Sequence, residues 1–435
     1  MLRTTRAALG ILLCLVVMLI SACATTSARR PPSPGAARPS TDMVYIADGY
    51  TATSASAQRI IAFRPNGPTT APMMLPAGLT ALDHLQLFVA KSASGFTTLS
   101  ALDTRTGATI RSFRIPGTYS TTGPGYGDAT LSANGQWLAL RDLSSGVSGT
   151  SIAVVDTRAG ALAQTFHLDG DFTLDAISPN AAMLYLIQNL HDAAHHYYVR
   201  AYDLRAGQLL QAIIVDKSEL DEQQMVGKPL TRLMSRDGAV AYTLYTNVAT
   251  NKAFVHILPL ATGPDDPPFA RCIDLPSGQS PSLLRDYTLA LSADGSSLFA
   301  ANAALGLISR IGLHGSGSGV FSDQLDSQSH FTPAPAIASS TMPLYAGAAL
   351  SADQSTLYIA GPRGIQALDV GTLAPRRTYL DGSAVTSVAL GSNGATLYVV
   401  APGQGLLLLA LTTGQVTRCA TCPAQAPWGI AWVGQ

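Results

Sequence analysis

The chain has 435 residues, and 47% of them are hydrophobic, which is enough for a large core and excludes a wholly disordered protein. Charged residues make up only 12%, the formal net charge is zero, and Lys and Arg form no dense run. The composition therefore gives no electrostatic reason to expect nucleic acid or an anionic membrane surface as a partner.

The N-terminal segment has the layout of an export signal. Arg3 and Arg6 precede an apolar run of twelve residues at 9–20. A helix of that length spans about 18 Å, short of the ~30 Å hydrocarbon core of a bilayer, so a cleaved signal peptide is favoured over a membrane-spanning anchor. The segment ends in LISAC, which resembles the lipobox of bacterial lipoproteins. The resemblance implies a signal peptide at residues 1–22 and lipidation of Cys23. The alternative is an ordinary signal peptide that happens to contain a cysteine.

Residues 23–42 are predicted to form a tether. They contain four prolines, and residues 24–41 have no aliphatic side chain larger than alanine. A coil of this length reaches roughly 25 Å. We therefore expect a folded body at residues 43–435 that is anchored by lipid to a membrane of the bacterial cell envelope, outside the cytoplasm. Ala24 is not the aspartate that often retains lipoproteins at the inner membrane, so the choice of membrane stays open.

One ten-residue phrase, LSADGSSLFA at residues 291–300, recurs along the chain. Aspartate or asparagine followed by glycine tolerates the positive φ of a tight hairpin turn, and a serine two positions earlier can bond back to the turn. Apolar residues on both sides supply two strands. Three copies have His84, Ala181 or Gln354 in place of the glycine and fit the pattern least well. The turn residues of the seven copies are Asp83, Asn134, Asn180, Asp237, Asp294, Asp353 and Asn393.

A second pair of strands follows the hairpin in most copies, as in IAVVDTRAGALAQTF at residues 152–166. Four antiparallel strands in a unit that recurs every ~40–60 residues predict the blades of a β-propeller. Seven full units are visible, with a half unit at Met43 and another in the C-terminal PWGIAWVGQ. If the halves join, the C-terminal strand closes the ring against the N-terminal blade. The expected fold is a single all-β propeller of eight blades, with seven as the alternative.

Two copies, LALSADGSSLFAANAALGLISRIGL and VALGSNGATLYVVAPGQGLLLLALTTGQV, resemble the YVTN-type repeat of WD40-like and lactonase-like propellers. The resemblance covers nearly all of residues 43–435 and implies the propeller fold. Proteins of this architecture bind partners, form scaffolds or catalyse reactions, so the resemblance leaves the function open.

Cysteine usage suggests one local cross-link. Cys419 and Cys422 form a CATC motif in the last unit. Outside the cytoplasm such a pair is expected to form a disulfide, whereas a catalytic dithiol is the less favoured alternative. With Cys272 as the third cysteine of the body, one of the three should stay free.

A histidine-rich loop is the one candidate metal site. His191, His195 and His196 lie together in NLHDAAHHYYV, between the second and third strands of a blade. Metal binding would need neutral imidazoles that converge on one ion. The simpler interpretation is a polar hairpin tip.

Long connections predict where a ligand would bind. In a propeller the links between blades and the links between strands two and three open on the same face, and function in rigid scaffolds concentrates on such loops. Three links are long: one begins at Gly117, one begins at Asp216, and the third spans residues 316–347. The ligand-face candidates are Tyr119, Tyr126, His330, Phe331, Arg285, Asp286 and Tyr287. For Arg285, Asp286 and Tyr287 the alternative is a polar contact between blades.

No nucleophile elbow, phosphate loop, zinc signature or calcium loop occurs in the sequence. We therefore predict a monomeric binding or scaffolding module for a protein or envelope ligand, with no cofactor and no catalytic residues assigned. The alternative is a lactonase-like hydrolase, with or without metal assistance.

Overall fold

A computed structural model describes residues 41–434, apart from 50–57, 67–70, 122–126, 145–147, 194, 217–223, 261–267, 315–322, 334–346, 420–421 and 423–426. The predicted signal peptide, Cys23, nearly all of the tether and Tyr126 lie outside the described residues. Within the described part of the chain, no helix has the length and hydrophobicity needed to cross a bilayer.

The strands form eight four-stranded antiparallel sheets, which are the blades of a β-propeller. Strands are given from the centre outward. Blade 1 contains β32 (Pro427–Gly434), β1 (Met43–Asp48), β2 (Arg59–Phe63) and β3 (Met73–Pro76). Blade 2 contains β4 (Leu79–Thr80), β5 (Gln86–Ala93), β6 (Phe96–Asp103) and β7 (Thr109–Pro116). Blade 3 contains β8 (Ala129–Leu131), β9 (Trp137–Arg141), β10 (Gly149–Asp156) and β11 (Ala161–Asp169). Blade 4 contains β12 (Phe172–Ile177), β13 (Met183–Asn189), β14 (Tyr197–Asp203) and β15 (Gln208–Leu209).

Blade 5 contains β16 (Lys228–Met234), β17 (Val240–Asn247), β18 (Lys252–Pro259) and β19 (Arg271–Leu275). Blade 6 contains β20 (Tyr287–Leu291), β21 (Ser297–Asn302), β22 (Leu307–Gly312) and β23 (Gln324–His330). Blade 7 contains β24 (Ala348–Leu350), β25 (Thr356–Gly361), β26 (Gly364–Asp369) and β27 (Pro375–Tyr379). Blade 8 contains β28 (Ser387–Leu390), β29 (Thr396–Ala401), β30 (Gly405–Ala410) and β31 (Val416–Arg418). A 3₁₀ turn at Pro281–Asp286 precedes blade 6.

The two ends of the described chain share blade 1, so the predicted closure and the count of eight blades are confirmed. β32 pairs antiparallel with β1, with Val44 opposite Val433 and Tyr45 opposite Trp432. The rings of Tyr45 and Trp432 stack with their centroids 4.3 Å apart. Closure removes the exposed inner edge that β1 would otherwise present.

The recurring phrase forms the hairpin between the first and second strands of a blade. In blade 3 the Ser132 hydroxyl donates to Asn134 Oδ1 (2.7 Å) and accepts the Trp137 amide (2.9 Å). The same pair of bonds recurs at Ser178, Ser235, Ser292 and Ser351, which confirms the role predicted for this serine.

The three turns without glycine adopt the same left-handed backbone conformation as the others. His84, Ala181 and Gln354 have φ of 53°, 52° and 60°, against 72° at Gly295. A side chain in this region costs roughly 1–2 kcal/mol. The pairing of the flanking strands therefore maintains a turn that the local sequence disfavours.

The hydrophobic core is divided among the blade interfaces. Each pair of consecutive blades encloses one apolar cluster of buried side chains. Between blades 7 and 8, for example, Tyr358 and Ile365 pack against Val388, Leu397 and Val399. Stability therefore depends on contacts between neighbours around the ring.

Asp42, the residue before β1, joins blade 1 to blade 8 and is fully buried. Its Oδ2 accepts hydrogen bonds from the Ser392 amide (3.0 Å) and the Tyr398 hydroxyl (3.1 Å). Blade 8 has Gly391 where five other hairpins have serine, and a Cβ there would lie 2.9 Å from Asp42 Oδ2. The glycine therefore makes room for the incoming carboxylate. We call this contact the Asp42 junction.

One predicted connection was wrong. Residues 316–347 do not form a single link between blades, because Gln324–His330 is β23, the outer strand of blade 6. Its seven residues, QLDSQSH, include one aliphatic side chain, Leu325, and most of the strand is exposed. Because no residue of this strand is buried, it lacks the alternation of apolar and polar side chains by which half-buried strands are predicted.

Candidate functional site

Two charged residues interrupt the repeat in adjacent blades. The position five residues before the turn residue is small or apolar in five copies, as in Leu289 and Val388, but it is Asp175 in blade 4 and Arg232 in blade 5. The Arg232 guanidinium forms an ion pair with the Asp175 carboxylate and also donates to the Asp175 backbone oxygen (2.5 Å). Both side chains are almost entirely buried, so the pair lies in the interior between the two inner strands.

The polar character continues outward across blade 5. In the strand register Arg232 lies opposite Thr243, Thr243 opposite His256, and His256 opposite Cys272. Arg232 Nε donates to Thr243 Oγ1 (2.8 Å). The six aligned copies have valine, leucine, isoleucine or alanine where blade 5 has Thr243. We call these four residues, Arg232, Thr243, His256 and Cys272, the polar row.

His256 is the most unusual member of the polar row. Its side chain is buried, and neither ring nitrogen has a hydrogen-bond partner among the described residues. Burial lowers the pKa of His256 to about 4, and Arg232 acts in the same direction, whereas Asp175 and Asp216 oppose the shift. The imidazole is therefore neutral at physiological pH, with one donor and one acceptor to offer.

A cavity of about 490 Å³ lies beside the polar row, between blades 4 and 5. Exposure falls along β18 from Lys252 through Phe254 to His256, so His256 lies at the deep end. We call this cavity the blade 4–5 cleft. Its lining residues are His196, Tyr198, Ile214, Val215, Asp216, Gln224, Met225, Val226, Asn247, Thr250, Lys252, Phe254, His256, Cys272 and Asp274.

The described residues of the connection between blades 4 and 5, 214–216 and 224–226, line one wall of the cleft. Ile214 and Met225 make backbone bridges to β14, and Asp216 bridges to Ala270 in blade 5. The Asp216 carboxylate is buried and its Oδ2 accepts the Cys272 amide (2.6 Å). This wall is therefore attached to both blades.

Aromatic rings supply part of the apolar surface of the cleft. The Phe254 ring stacks on Tyr245, with centroids 5.3 Å apart and an interplanar angle of 5°. The Tyr198 hydroxyl accepts a hydrogen bond from Gln224 Nε2 (3.2 Å). Contacts within each pair position Phe254 and Tyr198 before any ligand enters.

The imidazoles of His191 and His196, two of the three histidines of the predicted metal site, contact different carboxylates. His191 Nε2 lies 3.0 Å from Asp171 Oδ2, and His196 Nδ1 lies 2.6 Å from Asp192 Oδ2. In the described part of the chain, no group of three or more His, Cys, Asp or Glu side chains is placed to hold a metal ion. Of the three, His196 lines the blade 4–5 cleft.

Two of the predicted ligand-face aromatics belong to the core. Tyr119 is buried in the apolar cluster of blades 2 and 3, and Phe331 is buried in that of blades 6 and 7. His330, the last residue of β23, is exposed. The structure thus brings none of these three residues to the blade 4–5 cleft.

Arg285, Asp286 and Tyr287 lie at the end of the 3₁₀ turn before blade 6. Arg285 Nε donates to the Ser282 oxygen (2.8 Å), and the buried Tyr287 hydroxyl donates to the Pro276 oxygen (2.5 Å). Burial raises the pKa of Asp286 to about 6. Two of the three residues therefore bond within the segment that links blades 5 and 6. None of the three lines the blade 4–5 cleft.

The cysteines occupy two different interfaces. Cys419 and Cys422 are half-buried against the apolar cluster of blades 8 and 1, and the Cys422 amide donates to the Cys419 oxygen (3.4 Å). Cys272 belongs to the polar row between blades 4 and 5. The disulfide between Cys419 and Cys422 stays a prediction.

Sequence reasoning missed His256, Asp175, Arg232 and Asp216. A signal for two of them was available in the aligned repeats, because Asp175 and Arg232 are the charged exceptions at a small or apolar position of the inner strand. Such exceptions identify the interface at which the repeat departs from simple core packing.

Comparison with known proteins gives no family. No protein-family model matches the chain, and no curated protein matches it either. Similar solved structures include a functionally unknown protein from Desulfotomaculum acetoxidans, at 15% identity over 79% of this chain and 98% of that chain, with a TM-score of 0.40. The periplasmic gluconolactonase of Pseudomonas aeruginosa matches at 17% identity over 77% and 94%, with a TM-score of 0.39. The β-propeller domain of Cps50 (Swd1) from Myceliophteria thermophila matches at 11% identity over 76% and 94%, with a TM-score of 0.41.

Proposed function

We propose that this chain is a lipid-anchored binding protein of the bacterial cell envelope, and that the blade 4–5 cleft takes a small polar ligand from outside the cytoplasm. The observation that carries the proposal is the buried imidazole of His256, which lines the cleft without a hydrogen-bond partner among the described residues. The anchor is inferred from the LISAC motif and the proline-rich residues that follow it.

The free energy of folding argues against a purely structural role for the polar row. A buried polar group without a partner costs about 1–3 kcal/mol of folding free energy. A buried ion pair seldom stabilises a protein more than well-packed apolar residues at the same positions would. Blade 6 has Leu289 and Ala300 at the positions of Arg232 and Thr243, so the repeat supports an apolar alternative. A ligand that bonds to His256 would supply the missing partner.

The size and lining of the cleft also support ligand binding. Ligand cavities in proteins are typically ~300–1,000 Å³ and combine apolar walls with a few fixed polar groups. The cavity of about 490 Å³ lies within that range, with Phe254, Tyr198 and Met225 as apolar surface and Asp216 and His256 as buried polar groups.

A cleft-filling substitution tests the binding role. In the full-length protein, Val226→Trp should occupy the cleft, and Val416→Trp on the exposed outer strand of blade 8 serves as its control. The low-mass fraction of an envelope extract should raise the Tm of the native protein and of Val416→Trp, but not that of Val226→Trp. If all three proteins respond alike, or none does, the proposed site is wrong.

The anchor is tested separately. Replacing Cys23 by serine should move the protein from the membrane fraction to the soluble extracytoplasmic fraction, because no acyl chain can then be attached. Membrane attachment that persists in Cys23→Ser would refute the lipidation proposal without affecting the cleft.

A further inference from the structure

We infer that the ligand of the blade 4–5 cleft is an uncharged, polyhydroxylated ring, such as a sugar unit of an envelope glycan. This inference rests on the proposed binding function and specifies its ligand class. It follows from the charges of the lining, the mixture of hydrogen-bond donors and acceptors, and the aromatic walls.

The charges of the lining disfavour an anion. Asp216 and Asp274 contribute two carboxylates, and Lys252 contributes one ammonium group. The buried carboxylate is Asp216, whereas Lys252 is exposed at the start of β18. A phosphate or carboxylate that entered the deep end would therefore meet a like charge in surroundings that screen it poorly.

The donors of the lining disfavour a simple cation. An ammonium group donates hydrogen bonds and accepts none, so it could donate to the Asp216 carboxylate but could not accept from the N–H groups of Asn247 and the neutral His256. A hydroxyl group both donates and accepts. Several hydroxyls on one ring can therefore satisfy carboxylate, amide and imidazole together.

The aromatic side chains of the cleft suit the C–H faces of a sugar ring. A pyranose ring presents C–H groups on its faces and hydroxyls around its edge, so it needs apolar and polar walls at once. The cleft supplies rings at Phe254 and Tyr198, with the hydrogen-bonding groups of Asp216, Asn247 and His256 in the same cavity. Because the Phe254 ring already stacks on Tyr245, it is held in place for such contact.

The test uses one sugar skeleton in three charge states. Glucose and N-acetylglucosamine are neutral, glucosamine is cationic and glucose 6-phosphate is anionic. Calorimetric titration of the full-length protein at pH 6, where glucosamine is almost fully protonated and His256 is still neutral, should show at least one neutral sugar binding tenfold or more tightly than both charged ones. Equal or tighter binding of a charged sugar would overturn the inference.

Variants of His256 connect the result to the cleft. His256→Phe should weaken binding of the neutral sugar at least tenfold, whereas His256→Gln, which keeps a donor and an acceptor, should lose less than threefold. Ser309→Ala, on the equivalent strand of blade 6, is the control and should bind like the native protein. Circular dichroism and Tm confirm that each variant is folded. Undiminished binding by His256→Phe would overturn the inference.

Failure of the inference and failure of the proposed function are distinguishable. If no neutral sugar binds but the envelope extract still raises the Tm in a manner abolished by Val226→Trp, the ligand class is wrong and the binding function stands. If neither the sugars nor the extract has a cleft-dependent effect, both are wrong.

Discussion

Two interfaces of the same ring differ sharply in what they contain. Between blades 7 and 8, Ile365, Val388 and Val399 form a continuous apolar contact. Between blades 4 and 5 there is an apolar cluster too, but it is interrupted by an ion pair, by His256 and by the cleft. The comparison teaches that the repeat supplies apolar packing at every interface, whereas departures from the repeat identify the interface that also holds buried polar groups and a cavity.

The largest expected effect comes from breaking the buried ion pair. Arg232→Leu leaves the Asp175 carboxylate buried without its cation and should lower the free energy of unfolding by about 3–5 kcal/mol. The double variant Asp175→Val/Arg232→Leu makes the interface resemble that between blades 7 and 8, and should lie within ~1 kcal/mol of the native protein. Urea unfolding measures both, and a double variant as unstable as the single one would show that the pair is needed for folding.

Lower pH should weaken the interface between blades 4 and 5. Burial lowers the pKa of His256 to about 4 from the ~6.5 of an exposed histidine. Between these values the unfolded chain binds a proton that the folded chain does not, so the free energy of unfolding falls as pH drops, by up to ~3 kcal/mol from this residue.

His256→Phe should remove that part of the pH dependence, as measured by urea unfolding from pH 7 to pH 4. Asp286 acts in the opposite direction, because burial raises its pKa to about 6 and the folded chain then takes up its proton first. Asp286→Asn should therefore steepen the loss. A native protein with flat stability over this range, together with a flat His256→Phe variant, would contradict the neutral buried imidazole.

Truncating a valine should cost more in the filled interface than in the cleft. Val399 is completely buried between blades 7 and 8, so Val399→Ala should lower the free energy of unfolding by about 2–3 kcal/mol. Val226 lines an open cavity and is only half-buried, so Val226→Ala should cost less than ~1 kcal/mol. Equal losses in thermal or urea unfolding would mean that the cleft is packed as tightly as the rest of the ring.

The smallest expected effect concerns the turns that all blades share. Ala181 has a φ of 52°, so Ala181→Gly should relieve strain and raise the free energy of unfolding by up to about 1 kcal/mol. Gly295 has a φ of 72° and no atom within 4 Å of an added Cβ, so Gly295→Ala should lose a similar amount through backbone strain alone. Changes of the same sign in both variants would contradict this explanation.

The fold could be predicted because its information is local and repeated. Each Ser–Asp or Ser–Asn hairpin specifies two strands within ten residues, as at Ser292 and Asp294, and the unmatched halves at the two ends require each other. β23 was missed because its polar, mostly exposed residues lack an apolar alternation. Outer strands are thus the part of a blade that their own residues specify least.

The site could be predicted only in part, because it depends on contacts between distant residues. Asp175 and Arg232 are 57 positions apart, and only the alignment of the repeats places them at matching points of adjacent blades. Tyr119 and Phe331 were chosen as ligand-face residues because they lie on long connections, but their rings pack into the core. Loop length indicates where a chain has room for a site, whereas side-chain burial decides which residues remain accessible.

Because the two ends of the described chain share blade 1, this blade is the last to be completed during synthesis. β1 is the first described strand to be synthesised and β32 the last, so blade 1 has no inner strand until almost all of the described chain has been synthesised. The Asp42 junction likewise joins residues 350 positions apart. Contacts of such separation form late and slowly, and an unpaired strand edge is a site of aggregation. We therefore expect the nascent chain to depend on folding helpers until its final segment arrives.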